Sequence, residues 1–186
     1  MPKQRITKEM IVDAAFDIAR TDGLQAMIVK NIAGKLHCSV QPIYSYCTNM
    51  EGLKREVFLK TLAFVQEYMK AHIDPKDVFR STGRAYLTFA QEEPNLFQIF
   101  VLSERENITS FDDFYASNTN PSLAHSIAKD LNITYEQAKE LHLCMLIFNT
   151  GISMIQVSSK PGIPSEELNR YLDKAYEAFL GKAKGE

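Results

Sequence analysis

Val29-Lys30-Asn31-Ile32-Ala33-Gly34-Lys35-Leu36-His37-Cys38-Ser39-Val40-Gln41-Pro42-Ile43-Tyr44-Ser45-Tyr46 is the stretch on which the reading of this chain turns. Ile32, Ala33 and Leu36 fall one and four residues apart, which puts them on one face of a short helix over about residues 29–36. His37-Cys38-Ser39 interrupts it. A second helix follows from about Val40 to Tyr46, with Ser39 placed to cap it. Pro42 is tolerated in the first turn, where the backbone N–H has no helical partner. A helix, a three-residue turn and a capped second helix have helix–turn–helix proportions. Ile32, Ala33 and Leu36 hold the first helix to the body and Ile43 holds the second. Ala33 is small where the two helices cross.

The first turn of the second helix then presents Val40, Gln41 and Pro42 outward. Helix–turn–helix proteins read base edges with this part of the motif. Gln41 suits a bidentate pair with adenine, and Val40 or Pro42 suits contact with a thymine methyl. Tyr44, Ser45, Tyr46 and Thr48 supply hydroxyls suited to phosphates, and Ser39 stands beside them.

Outward from this core the chain reads as helix after helix. On the N-terminal side, Ile11, Ala14, Ala15, Ile18 and Ala19 form one apolar face. Thr7 is the expected N-cap of that helix, and Asp22-Gly23 ends it. On the C-terminal side Asn49 is expected to cap a long helix reaching about Ala71, with Leu53, Val57, Leu62, Val65 and Met69 inward. Asp74-Pro75 is expected to start the next helix, and Glu93-Pro94 breaks it. Leu96 to Leu102 forms a short apolar helix, and residues 103–121 are polar and mixed. A helix fills about Ser122 to Leu131. The capping box Thr134-Tyr135-Glu136-Gln137 opens another to about Ser158. Ser165 is expected to cap the last one. No strand, repeat or low-complexity tract stands out, so the fold class is all-α.

Composition sets the outer bounds. A chain of 186 residues with 45% hydrophobic and 24% charged residues is globular rather than disordered. Three cysteines are too few and too odd in number for a disulfide framework, and suit a reducing cytoplasm. No uninterrupted apolar run reaches about 18 residues, and the start has no signal-peptide core, so a cytoplasmic chain with no membrane partner is expected. No glycines sit at G-x-G spacing, and G-x-S-x-G, H-E-x-x-H and C-x-x-C are missing. The four histidines are scattered. No cofactor, no metal site and no catalytic residue is expected, hence no enzyme. The net charge of −2 argues against a general nucleic-acid coat. It hides an asymmetry: residues 1–55 carry eight Lys/Arg against five Asp/Glu, a net of +3, and the remainder carries −5. The basic excess lies with the helix–turn–helix.

The pattern Ile32-Ala33-x-x-Leu36-x-x-Ser39-x-x-x-Ile43-Tyr44-x-Tyr46-x-x-Asn49-x-x-x-Leu53 resembles the N-terminal signature of the tetracycline-repressor (TetR) family of bacterial regulators, covering about residues 7–55. The resemblance implies a DNA-binding domain over residues 1–50 and a helical effector-binding and dimerisation domain over residues 51–186. It also implies that Lys30, Tyr44 and Tyr46 meet operator bases or backbone. Three departures stand out. His37 occupies the turn position where the family usually has Gly. Cys47 replaces a frequent aromatic. Met50 replaces a usual Lys at the start of the long helix; a phosphate can still dock on the helix end, and the lost charge is expected to weaken binding or to shift its burden to Lys54, Arg55 and the N-terminal Lys3, Arg5 and Lys8.

In the second domain the block from Ala85 to Phe100 looks like a branch of the family with a Phe-Ala…Pro-x-Leu-Phe helix pair. The helix from Leu141 to Ile155 is apolar almost all round, as expected for a helix covered on several sides. Phe89, Phe97, Phe100, Met145, Phe148 and Asn149 are the candidate lining of an apolar effector pocket, against the plain alternative that each is core. In the family the last two long helices pair with their copies in a four-helix bundle. The expectation is therefore a homodimeric repressor on a palindromic double-stranded operator, released by a small, largely apolar effector. A regulator without a small ligand, and a helical carrier or enzyme with a vestigial DNA-binding domain, are the alternatives. Cys38 and Cys47 flank the recognition helix, where burial as small hydrophobes is favoured over a redox role.

Overall fold

The computed structural model describes residues 6–46 and 49–185. Among them it contains ten α-helices and a single 3-10 turn, and no strand. The helices are α1 (Lys8–Asp22), α2 (Val29–Lys35), α3 (Gln41–Tyr46), α4 (Met50–His72), α5 (Val78–Glu92), α6 (Pro94–Leu102), α7 (Phe111–Asn118), α8 (Pro121–Leu131), α9 (Tyr135–Ser158) and α10 (Ser165–Lys184). Lys3, Arg5, Cys47 and Thr48, to which sequence reasoning gave roles, lie outside the described residues.

The chain divides into two compact units. One is drawn from Met1–Tyr68 and Glu92–Ser103, the other from Met69–Gln91 and Glu104–Glu186. In the first unit α1 is the hub, packed against α2, α3 and α6. Its apolar face Ile11, Ala14, Ala15, Phe16, Ile18 and Ala19 is buried as the 3–4 spacing requires. The Met10 N–H donates to Thr7 Oγ1 at 3.2 Å, so Thr7 is the N-cap. Gly23, at φ 86°, ends the helix in a conformation that a side chain resists. The Asn95 side chain of α6 donates to the carbonyls of Arg20 (2.9 Å) and Thr21 (3.0 Å), giving partners to groups that the end of α1 leaves open. Arg20 pairs with Glu93 beside it, Nε to Oε2 at 2.8 Å.

In the second unit α9 packs against α8 and α10. Ile127, Ala138, Leu141, Met145, Leu172 and Tyr176 form its core, with Phe79, Leu123 and Phe148 packed on it. The capping box at α9 is complete. The Gln137 N–H donates to Thr134 Oγ1 at 3.2 Å, and the Thr134 N–H donates to Gln137 Oε1 at 2.8 Å.

Three expected boundaries move. Asp74 does not cap α5. Its carboxylate accepts from the Lys76 N–H at 2.8 Å and its carbonyl from the Asp77 N–H at 3.1 Å, which closes a turn, and the helix starts at Val78. Ser165 does not cap α10. The Pro164 carbonyl accepts from the Leu168 N–H at 3.2 Å and opens the helix, while the Ser165 hydroxyl pairs with the Gln91 amide at 3.1 Å. The polar stretch 103–121 contains a helix that periodicity does not show. It is α7, capped by Ser110, whose Oγ accepts from the Asp113 N–H at 3.1 Å.

Candidate nucleic-acid interface and internal cavity

The helix–turn–helix forms where the sequence places it. Past α2, His37 takes φ 51°, the left-handed region. The Cys38 N–H reaches the Ala33 carbonyl at 3.0 Å and the His37 N–H reaches that of Gly34 at 3.1 Å, the paired bonds of a Schellman end. A β-carbon at position 37 is therefore strained, as expected where glycine is usual. α3 starts at Gln41, one residue later than expected, its first carbonyl being that of Val40, which accepts from the Tyr44 N–H at 3.3 Å.

The two faces of this motif divide cleanly. Ile32, Ala33 and Ile43 are buried, Ile32 and Ile43 completely. Lys30, Ser39, Val40, Gln41, Tyr44, Ser45 and Tyr46 are exposed, and Pro42 is half-buried. Val40 retains 43%, Tyr44 63% and Tyr46 41% of its surface. Three large apolar or aromatic side chains standing out from one short helix and the residue before it is an arrangement that folding does not explain. The Ser45 hydroxyl donates back to the Gln41 carbonyl at 3.0 Å.

The neighbouring cations are less available than the sequence indicates. Lys54 pairs with Glu51 at 2.6 Å and Lys8 with Glu56 at 2.5 Å. Such exposed pairs are worth about 0–1 kcal/mol, so a phosphate competes readily for either lysine. At the start of α4 the Gly52 N–H donates to the capping Asn49 Oδ1 at 2.7 Å. Cys38 is half-buried.

The six candidate pocket residues are not gathered in one place. Phe89 and Phe97 are completely buried. Phe97 and Phe100 belong to α6 in the first unit. Phe148 is half-buried against the core of the second. Met145 and Asn149 do line a cavity of about 50 Å³ that opens to solvent among α5, α8, α9 and α10. Phe79, Thr82, Gly83 and Tyr86 from α5 line it with them, as do Leu123, His142, Leu146, Leu172 and Tyr176. Sequence reasoning missed this set, although its signal is present. Residues 79, 82, 83 and 86, and again 142, 145, 146 and 149, follow the 0, 3, 4, 7 spacing of one helical face.

The walls of this cavity are mostly apolar, with an uncharged imidazole and two charged side chains among them. Burial pushes the His142 imidazole down to about 4, so the ring is uncharged near neutrality. Its Nδ1 lies 2.8 Å from the Tyr115 hydroxyl, and Phe79 meets it edge-on with ring centres 5.7 Å apart. Burial also raises the Tyr86 phenol, whose oxygen is 3.4 Å from Thr150 Oγ1. Two charged side chains complete the lining. Arg80 rests over the Tyr176 ring at 4.2 Å, and Asp173 accepts from Arg84 at 3.1 Å. Asn149 Oδ1 is buried with no hydrogen-bond partner among the described residues.

Known proteins share this architecture. No family model matches the chain. Over 111 residues it is 22% identical to the uncharacterized HTH-type transcriptional regulator YobS of Bacillus subtilis (strain 168). The match covers 58% of this chain and 58% of the relative, less than two thirds of its length. Among solved structures it is similar to a TetR-like transcriptional regulator from Rhodococcus sp. RHA1. That likeness has a TM-score of 0.65 at 14% identity and covers 95% of this chain and 99% of the other. The fold is therefore the all-α fold of a TetR-like regulator.

Proposed function

We propose that this chain is a sequence-specific DNA-binding transcriptional regulator of the TetR type. It acts as a homodimer in the cytoplasm and represses from a palindromic operator until a small, largely apolar effector releases it. The observation that carries the reading is the outward face of α3. Gln41, Tyr44 and Tyr46 stand exposed on a helix whose inward residue, Ile43, is completely buried, and Val40 stands exposed just before it. Gln41 and Val40 read base edges, Lys30 and the hydroxyls of Ser39, Tyr44, Ser45, Tyr46 and Thr48 hold phosphates, and Lys3 and Arg5 add charge.

Dimerisation is supported by the apolar surface that α9 and α10 leave uncovered in one chain. Ile147 is 44% exposed, Ile155 55% and Tyr171 47%. By length and composition alone α9 would also qualify to cross a membrane. The apolar surplus that gives it this character is better used against a second copy in a four-helix bundle. Two-fold symmetry then sets the recognition helices one or a few DNA turns apart. The effector enters the second unit, where Met145 and Asn149, of the six residues expected to bind it, line the cavity. Repression ends by population shift: an effector that favours a conformation with badly spaced recognition helices lowers operator affinity.

Footprinting on DNA flanking the chain's own gene tests this. A protected palindrome is the expected result. No protected site at moderate salt, with the protein folded, contradicts it.

A further inference from the structure

The end of α1 carries a charge of the wrong sign. Asp22 is the last residue of that helix, where the aligned backbone dipoles already present negative charge and a cation is preferred. Its carboxylate is exposed and has neither an ion pair nor a hydrogen bond among the described residues. The cation of the same turn, Arg20, is committed to Glu93. Folding alone gives no reason for an unpaired acid here.

Asp22 lines a cavity that lies wholly within the first unit and opens to solvent. It holds about 370 Å³ between the end of α1, the 3-10 turn Leu24–Ala26 and α6. That volume is within the roughly 300–1,000 Å³ of small-molecule sites. Leu24, Ile99 and Leu102 give it an apolar wall, and Leu102 keeps 63% of its surface. It shares no residue with the cavity of the second unit.

The polar lining offers acceptors. Asn95 donates its amide hydrogens to the carbonyls of Arg20 and Thr21. Its Oδ1 lies beside Gly23, 3.5 Å from where a β-carbon would stand. That oxygen has no donor among the described residues and, unlike Asn149 Oδ1 and Ser153 Oγ, is not sealed from solvent. The side-chain amides of Gln25 and Gln98 are exposed and also without partners among the described residues. No Lys, Arg or His lines the space, so Asp22 sets its charge. An anion is repelled by that carboxylate. A bare metal ion needs several charged ligands, and the described residues hold no cluster of three His, Cys, Asp or Glu. The donor set and the apolar wall together fit an ammonium group on an apolar body.

We propose that this cavity of the first unit binds a small organic amine, whose ammonium donates to the Asp22 carboxylate and to the amide oxygens beside it while its apolar body lies along Leu24, Ile99 and Leu102. A ligand seated there touches α1 and α6 at once, and so bears on the helix against which α2 and α3 pack. The site does not depend on the operator reading. It is tested without DNA, so the two can fail separately.

The full-length chain is titrated at low salt with 2-phenylethylamine, with 2-phenylethanol as its neutral counterpart and with 3-phenylpropanoate as its anionic one. Binding is followed by calorimetry and by the amide resonances of Gly23, Leu24 and the Asn95 side chain. The amine is expected to bind at least about fivefold more tightly than the alcohol or the acid, and to shift those resonances. The preference should narrow as salt is raised. Asp22→Asn keeps the shape, removes the charge and should bring amine and alcohol to equal affinity. Leu102→Ser should weaken both alike. Each site is exposed, so folding is expected to survive, and thermal melts check it. The proposal is overturned if amine and alcohol bind the wild type equally, if none of the three binds at millimolar concentration, if the preference for the amine survives Asp22→Asn, or if the shifted resonances belong to the second unit alone.

Discussion

The two units mark their working surfaces in opposite ways. Around α3, residues that ordinarily seek the interior stand outside: Val40, Tyr44 and Tyr46 are exposed while Ile32 and Ile43 are completely buried. On α9, polar residues lie inside: His142, Asn149 and Ser153 are buried, and Asn149 Oδ1 and Ser153 Oγ have no partner among the described residues. Both arrangements depart from what stability favours, one by leaving apolar surface in water, the other by leaving polar atoms without hydrogen bonds. On the function proposed above, the two departures have different partners in view. An apolar and hydroxyl-bearing surface facing out suits a large partner. A polar atom facing into an apolar space suits a small one.

Substitutions can break this comparison at adjacent positions. The largest effect is expected inside the recognition helix. Ile43→Ala should lower unfolding free energy by about 2–5 kcal/mol, because a completely buried side chain is lost. Denaturant titration checks it, and a cost under about 1 kcal/mol would mean that α3 is not anchored there. Next comes the buried imidazole. His142 binds its proton at about 4 when folded and near 6.5 when unfolded, so the unfolded chain holds more protons between those values. Stability is full above pH 6.5 and falls as pH drops toward 4, by up to about 3 kcal/mol at 1.36 kcal/mol per pKa unit. Thermal melts from pH 7 to 4.5 should show this loss in the wild type and a smaller one in His142→Gln.

Within two residues of Ile43 the effect moves from stability to binding. Gln41→Ala and Tyr44→Ala should each weaken specific DNA binding by about 1–3 kcal/mol, with stability changed by no more than about 0.5 kcal/mol. Equal losses in folding and binding would erase the contrast between the two faces of α3. The smallest effect is at the turn. His37→Gly relieves a β-carbon at φ 51° and should stabilise the chain by about 1 kcal/mol, which for this length raises Tm by about 2–4 °C.

The first unit was the more legible of the two because its signals are local. The capping residues Thr7 and Asn49, the left-handed His37 and the face of Ile32, Ala33 and Ile43 are all set by neighbours within one or two turns. In the second unit the sequence showed α9 and its capping box for the same reason. It did not show α7, whose eight residues carry one buried side chain, Tyr115, and so no apolar period. Nor did it show the cavity. Its walls come from four helices, and Phe89 and Phe97, which look like lining, are completely buried. Asn149 stood out in the sequence as a polar residue in an apolar run. That it lacks a partner is a property of packing between α5 and α9, which spacing along one helix does not contain.

The central claim is that the outward face of α3 reads DNA sequence. Selection from a library of random duplexes with the full-length chain, at moderate salt, measures it most directly. The account predicts convergence on a two-fold symmetric site whose half-sites lie one or a few helical turns apart, and loss of that convergence in the Gln41→Ala, Tyr44→Ala double variant. A folded wild-type protein that enriches no sequence, or a double variant that enriches the same one, would contradict it.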